Sequence, residues 1–598
     1  MLDFIEVRVL GPVEVIGLEK LANNAPTGHL LDHAVRIEAD LLDCLLLPAQ
    51  TCVSFDLVLP ESHPRFDAST GIKGGNSVEE AMFQLLIDDV PIAERRIKVP
   101  EGRRDCNFEP WVISLQAFAG KHVKLSVRSS GHEQCLPVLG CPRVLGNDLG
   151  RKSPNLLVIS IDTLRADHLG SYGHELPISP NIDALAREGT LFQNAYSPVS
   201  YTLPAHATIL TGQHPLVHGV HDSRQRIDPE RSLSLASRLR SRGYFTAAFT
   251  GGVLVDPAFG FAEGFDQYST REPSGIIDML QKEKARIDED GHRFSGLSPA
   301  MNWIERHGDQ AFFLFVHTYF VHNYLPHDEF AARFPADLPS EIQQLSGADI
   351  WSLDVARDHR LDPLLVRRLH QLYCGTVAEV DELLVRPLLA TLDDLGIADE
   401  TIVVLLSDHG EEFTEHGHVF HGRSLWSELV RVPWIMRGPG LPRGARLDKQ
   451  AGLVDFVPTI SPLFELAPDC RWTGINLLQA SSGTRNEPGI VLHLRSMDGY
   501  GAYCWDGLID LPWKLLREVT EDGNVRGVHL FRLDEDPYDR GDLHTTHADR
   551  VARMQVELEE LQRSLIESAG ALPSRGEREA EIDGALLERM RALGYVDR

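Results

Sequence analysis

The sequence predicts an α/β fold: a mostly parallel central sheet flanked by helices, with a β-sandwich before it and a small antiparallel sheet plus a helix after it. Three observations carry that expectation. Between residues 155 and 408, strand-length apolar runs alternate with helical segments, the pattern that buries a parallel sheet between two helix layers. The first 150 residues instead show short apolar runs closely punctuated by Gly, Pro and Asp, as antiparallel sandwiches do. From about residue 480 short strands return and lead into one long amphipathic segment.

The chain has 598 residues, too many for one core. It is 43% hydrophobic and 24% charged, an ordinary balance for a globular protein. A net charge of −29 argues against a nucleic-acid polymer as partner. The apolar runs fall far short of the roughly 20 residues a membrane span needs. "MLDFIEVRVLGPVEVIG" has no basic stretch leading into an apolar one, so the expected location is the cytoplasm, with export left open. The eight cysteines lack metal-type spacing and read as reduced core residues; a disulfide among the five before residue 150 is the alternative if the protein is exported.

Residues 1–149 form the expected sandwich, from runs such as "CVSFDLVLP" and "WVISLQAFAGKHVKLSVRSS". This region resembles the jelly-roll modules that accompany carbohydrate-active enzymes; packing against its neighbour and glycan binding are equally weighted roles. Residues 150–480 form the expected catalytic α/β domain. "NLLVISID" is a buried strand, "SPNIDALAREGTLF" a helix capped by Ser179, "SLASRLRSRGY" a helix, and "FTAAFTG", "AFFLFVHTYF" and "TIVVLLSDHG" contribute further strands. Residues 481–598 complete the hydrolase with the strands "GIVLHLRS", "GAYCWDG", "WKLLREV" and "VHLFRLDEDP" and the helix "ADRVARMQVELEELQRSLIESAG".

Ligands of such sheets sit at the carboxyl ends of the strands. That rule selects Asp162, His317 to His322, and Asp408 with His409. Two carboxylates and an imidazole make a metal site, and a nearby hydroxyl would become its next ligand. Thr202, within "SPVSYTLPAHATILTGQHPLVHGV", opens a helix whose loop crosses the same edge. On spacing alone, the hydroxyls of Ser200 to Thr202 read first as helix capping.

From residue 153 onward the chain resembles the sulfatase family of the alkaline phosphatase superfamily. The matching pieces are "NLLVISIDTLRADHLGSYG", "TLPAHATILTGQHPLVHGV", "FFLFVHTYFVHNYLPH", "LLSDHGEEFTEHGHVFHGRSLWSELVRVPWIM", "VDFVPTI", "LFRLDEDP" and the closing "LGYV". The resemblance implies metal ligands at Asp162, Thr202, Asp408 and His409, and catalytic roles for Thr202, His322 and His421. It also implies substrate contacts from His206 and His317, and that Ser200 and Tyr201 serve structure.

The departures carry the functional expectation. Sulfatases convert a Cys or Ser to formylglycine, whereas this motif reads Thr202-Leu203-Pro204-Ala205-His206. Threonine oxidation gives a ketone, and the loop resembles that of phosphodiesterases with a Thr nucleophile. Thr163 replaces the second Asp of the usual pair, which together with His409 favours zinc or manganese over calcium. His421 stands where many sulfatases have Lys, and Ser223 where Asn is expected. A second metal, built in phosphodiesterase relatives from histidines and an Asp, finds no convincing Asp here and is not favoured. The expected function is metal-dependent hydrolysis of a phosphate ester, either small or linked to a glycan or lipid. The alternatives are sulfate-ester hydrolysis, transfer of a phospho group, or non-catalytic glycan binding.

Overall fold

The computed structural model describes residues 16–17, 35–37, 40–42, 44–47, 51–73, 80–100, 106–131, 136–146, 153–270, 297–334, 337–352, 361–479, 489–496, 503–572, 579–580 and 582–593. The expected boundaries at 149/150 and 480/481, Cys135, and most of the closing "LGYV" lie outside these residues.

Two antiparallel sheets face each other at the N-terminal end. Among the described residues, one is ordered Ile16–Gly17, Leu136–Leu145, Arg65–Lys73 and Cys106–Ser114, with Cys44–Leu46 also paired to Leu136–Leu145; the other is ordered Cys52–Val58, His122–Gly131, Glu80–Ile87 and Val90–Lys98. Alternate residues of Cys52–Val58 point inward, as period-two geometry requires. Phe55, Phe66, Phe83, Trp111 and Leu125 fill the space between the sheets, and Phe66 meets Trp111 edge to face at 5.5 Å. Ion pairs fasten this unit to residues beside the central sheet: Arg306 to Asp67, Arg143 to Asp266, and Arg65 to Asp309. Among the described residues no disulfide joins two cysteines.

The central sheet runs Val35–Ile37, Asp40–Leu42, Gln267–Ser269, Phe245–Phe249, Phe312–Thr318, Asn155–Ile161, Thr401–Leu406, Trp434–Arg437, Thr190–Tyr196 and Ala445–Gly452. Its middle is parallel, with Asn155–Ile161 between Phe312–Thr318 and Thr401–Leu406. All three of these strands are buried along their length, which explains their unbroken apolar runs. Register decides the rest: Ile161 lies opposite Thr318, and Ser160 opposite Leu406. The residues at the end of each strand, Asp162, Tyr319 and Ser407-Asp408, therefore emerge side by side.

Helices cover both faces of the sheet. The Pro180–Glu188 helix starts after Ser179, but the Ser179 hydroxyl does not cap it. It bonds Gly170 and Asp183 instead. The first-turn amides of Asn181 and Ile182 donate to Asp381, at 3.1 and 2.8 Å. The cap thus comes from a residue about two hundred positions away, which a local motif cannot reveal.

The C-terminal sheet is a meander of Ile490–Ser496, Tyr503–Asp510, Trp513–Val519 and Val525–Arg532. The Ala548–Gly570 helix lays Met554 and Leu558 against Leu508, Leu515 and Leu530. Lys514, fully buried, reaches out of this sheet to Asp539 at 2.6 Å and Ser427 at 3.1 Å. Among the described residues no helix is long and apolar enough to cross a membrane.

Candidate active site

Asp162, Asp408 and His409 converge at the end of the central strands, each offering an atom within 4.8 Å of the others. All three are fully buried. The backbone is bent to make this fit. Thr163 adopts φ +57°, a left-handed conformation that costs a β-branched residue energy. There its amide donates to Asp408 Oδ1 at 3.3 Å. The Thr163 carbonyl in turn accepts from the Tyr373 hydroxyl at 2.7 Å. Gly410 succeeds His409 where any Cβ would lie 2.0 Å from the Glu428 carbonyl oxygen, so no side chain fits there.

Thr202 is the first residue of the Thr202–Thr211 helix, and Tyr201 occupies the cap position without a side-chain cap bond. Pro204 is tolerated because first-turn amides need no partner within the helix. The Thr202 hydroxyl turns inward, 3.1 Å from His409 Nε2 and 3.5 Å from Asp162 Oδ2. The capping reading of the Thr202 side chain therefore fails. Ser200 bonds the Ser424 carbonyl at 2.7 Å, a structural contact.

The remaining histidines form two arms. On one side the His421 ring lies 4.4 Å from His409 and 5.0 Å from His322. The Tyr319 hydroxyl and His322 Nε2 are 3.1 Å apart. On the other side His317 Nε2 lies 3.7 Å from Asp162 Oδ2, and its ring 4.5 Å from His206. His206 is committed to the protein: Nδ1 is 2.9 Å from the Thr202 carbonyl and Nε2 is 3.0 Å from the Ser160 hydroxyl. His206 therefore sits inside the Thr202–Thr211 helix with both ring nitrogens facing protein oxygens, and Nδ1 also lies 3.5 Å from Asp408 Oδ2. His218 is likewise internal, 3.2 Å from the Thr208 hydroxyl.

Burial, and then the charge of Asp408, raises Asp162 well above the usual carboxylate range. Burial would raise Asp408 too, but the neighbouring His409 and His206 bring it below that range. Burial holds His317, His322 and His421 well below the ordinary histidine value. Asp162 Oδ1 and Asp408 Oδ2 are buried without a hydrogen-bond partner. Two adjacent buried carboxylates with unmet oxygens, beside an imidazole, are a donor set suited to a divalent cation. His409 Nδ1 is 3.0 Å from the Gly410 carbonyl. Donation there leaves the Nε2 lone pair facing the site.

Glu411 was not expected from the sequence. It is fully buried and 3.0 Å from His421 Nδ1, and burial pushes it up to about 8. The acidic run after Asp408 reads as a solvated loop. The groups that bury it are distant: Tyr324 beside Glu411, and Arg165, which donates to the Glu411 carbonyl at 2.9 Å.

A family model described as Sulfatase matches residues 154–466, just over half of the chain. The chain belongs to the sulfatase family. The choline-sulfatase of Rhizobium meliloti is 26% identical over 434 residues, covering 64% of this chain and 81% of the relative. The multifunctional alkaline phosphatase superfamily protein PehA of Trinickia caryophylli is 26% identical over 379 residues, covering 51% and 73%. The phosphonate monoester hydrolase of Agrobacterium radiobacter shares the fold, with a TM-score of 0.55 at 20% identity, covering 69% of this chain and 96% of that one. This protein is thus a sulfatase-family hydrolase, with the mostly parallel sheet and flanking helices of its structural neighbours.

Proposed function

We propose that this sulfatase-family hydrolase cleaves phosphate esters, monoester or diester, with Thr202 as nucleophile. The observation that carries the reading is the threonine hydroxyl at the helix start, 3.1 Å from His409 Nε2 and 3.5 Å from Asp162 Oδ2. Formylglycine requires a β-carbon that can become an aldehyde, and the methyl of threonine prevents that.

Asp162, Asp408 and His409 would hold a divalent ion, with zinc or manganese favoured over calcium because an imidazole joins the carboxylates and Thr163 supplies none. When bound, such an ion supplies charge neutralisation and lowers the pKa of the hydroxyl beside it. Thr202 Oγ1 attacks phosphorus in line, and its proton passes to Asp162 Oδ2. The new Oγ–P bond forms as the bond to the leaving oxygen breaks. Glu411, pushed up to about 8 by burial, passes its proton to His421 Nδ1 as Nε2 gives its own to that oxygen, with His322 lining the same side. Water then attacks the phosphothreonine, giving a proton to the His421–Glu411 pair; the Oγ–P bond breaks, Asp162 returns its proton to Oγ1, and phosphate leaves, or a phosphate monoester where the substrate is a diester.

Sulfate-ester hydrolysis is the second reading, favoured by the choline-sulfatase among the relatives. Paired assays decide between them: an aryl phosphate, a phosphodiester and an aryl sulfate with one leaving group, alongside metal analysis. Faster phosphate cleavage is expected. Faster sulfate cleavage would replace this reading with the second.

A further inference from the structure

A second cluster of metal-binding side chains lies where the loop after Asp162 packs on the Pro363–Val380 helix. His168 ends a short turn at Ala166–His168, and His174 comes just after the next turn. His370 and Cys374 sit four residues apart on the helix, and that spacing places both on one face. His168, His174 and Cys374 each present a donor atom within 4.8 Å of the others. His168 Nε2 and His370 Nε2 face each other at 2.8 Å, and the other nitrogen of His370 is 3.9 Å from Cys374 Sγ.

We infer that His168, His174, His370 and Cys374 form a site for a thiophilic divalent cation of the zinc type, separate from the Asp162, Asp408 and His409 site. The orientation of His168 supports this. Its Nδ1 is 2.9 Å from Asp167 Oδ1, and donation there turns the Nε2 lone pair toward His370, the carboxylate–histidine arrangement that positions metal ligands. Donors held about 2.0–2.3 Å from a tetrahedral ion lie roughly 3.3–3.8 Å apart, so His168, His174 and Cys374 already come close to that spacing, while His370 must move back from the 2.8 Å it keeps to His168 and turn one nitrogen toward the ion. Imidazoles with a thiolate select zinc over magnesium or calcium. Cys374 and His168 are buried, which shields the ion from water.

Such an ion would clamp the catalytic loop to the helix. Arg165 donates to Asp167 at 2.9 Å and to the Glu411 carbonyl at 2.9 Å. The Tyr373 hydroxyl, one residue before Cys374, receives the Arg165 amide at 2.8 Å. The clamp would therefore hold the segment from Asp162 to His168 in place.

The test is cobalt substitution of the full chain, read by absorption. The Asp162, Asp408 and His409 site contains no sulfur, so a thiolate-to-cobalt charge-transfer band reports only a cysteine site. The band is expected in the wild-type protein and absent in Cys374→Ser, with a loss of one bound ion per chain. His370→Ala, an exposed substitution, should shift or weaken the band and guards against misfolding of the cysteine variant. No band in the wild type would overturn the site, leaving an Asp167–His168–His370 hydrogen-bond chain in its place. A band that persists unchanged in Cys374→Ser would also overturn it.

Discussion

The Thr202 hydroxyl lies 3.1 Å from Nε2 of His409, while the other nitrogen of that ring is tied to the Gly410 carbonyl at 3.0 Å. A hydroxyl held this way has a chemical use or a structural one, and substitution separates them. Thr202→Ala is expected to cut turnover by at least roughly 10⁴-fold, the scale seen when a nucleophile is removed. The change in stability should be only about 1 kcal/mol, the net worth of one hydrogen bond. Thr202→Ser should retain activity. Steady-state kinetics beside urea denaturation measure both quantities, and near wild-type rates in Thr202→Ala would remove the assignment.

Asp408→Asn and His409→Ala should each weaken bound metal by more than about 100-fold, the upper end for residues that only touch a ligand. Excess zinc or manganese should restore part of the rate, because a lost ligand mainly costs affinity. Chelation should silence the wild-type enzyme. Equilibrium dialysis with elemental analysis checks the first point and assays across a metal series the second. Full activity after exhaustive chelation would contradict both.

The Glu411–His421 pair gives a leaving-group signature. If His421 delivers the proton, His421→Gln should slow alkyl esters far more than esters of acidic phenols, whose oxygens leave unprotonated. General acid catalysis typically contributes about 10²–10⁴-fold. Glu411→Gln should show the same trend more weakly, since it acts through the ring it orients. A uniform loss across leaving groups in His421→Gln would assign it to binding instead.

Lys514 and Asp539 form a fully buried pair that ties the C-terminal sheet to Ser427. Lys514→Met leaves a buried carboxylate without its cation and should cost about 3–5 kcal/mol. Removing the charge as well, in Lys514→Met with Asp539→Asn, should recover part of that loss. Hydrogen exchange of the Trp513–Val519 and Val525–Arg532 strands locates the effect, and an equal loss in the single and double variants would count against it.

The strand ends and their residues were legible because unbroken apolar runs mark buried parallel strands, and strand order then fixes which ends meet. Asp162, Asp408 and His409 could be named on that basis. Long-range contacts could not. Asp381 caps a helix about two hundred residues before it. Glu411 is buried by Tyr324 and Arg165, and His206 Nε2 meets the Ser160 hydroxyl. Each outcome depends on a partner far along the chain, where local pattern carries no signal. The charged run from Glu411 to Glu415 shows the limit most clearly, since its composition resembles a solvated loop while Glu411 and Glu412 are buried.

The most direct test of the central claim is mass spectrometry of the Thr202 peptide after acid quenching during turnover of an aryl phosphate. Unmodified threonine is expected in the resting enzyme and a phosphoryl group on Thr202 in the quenched sample, absent from Asp408→Asn treated alike. A peptide that stays unmodified while product forms in a burst, or a phosphoryl group on another residue, would contradict it.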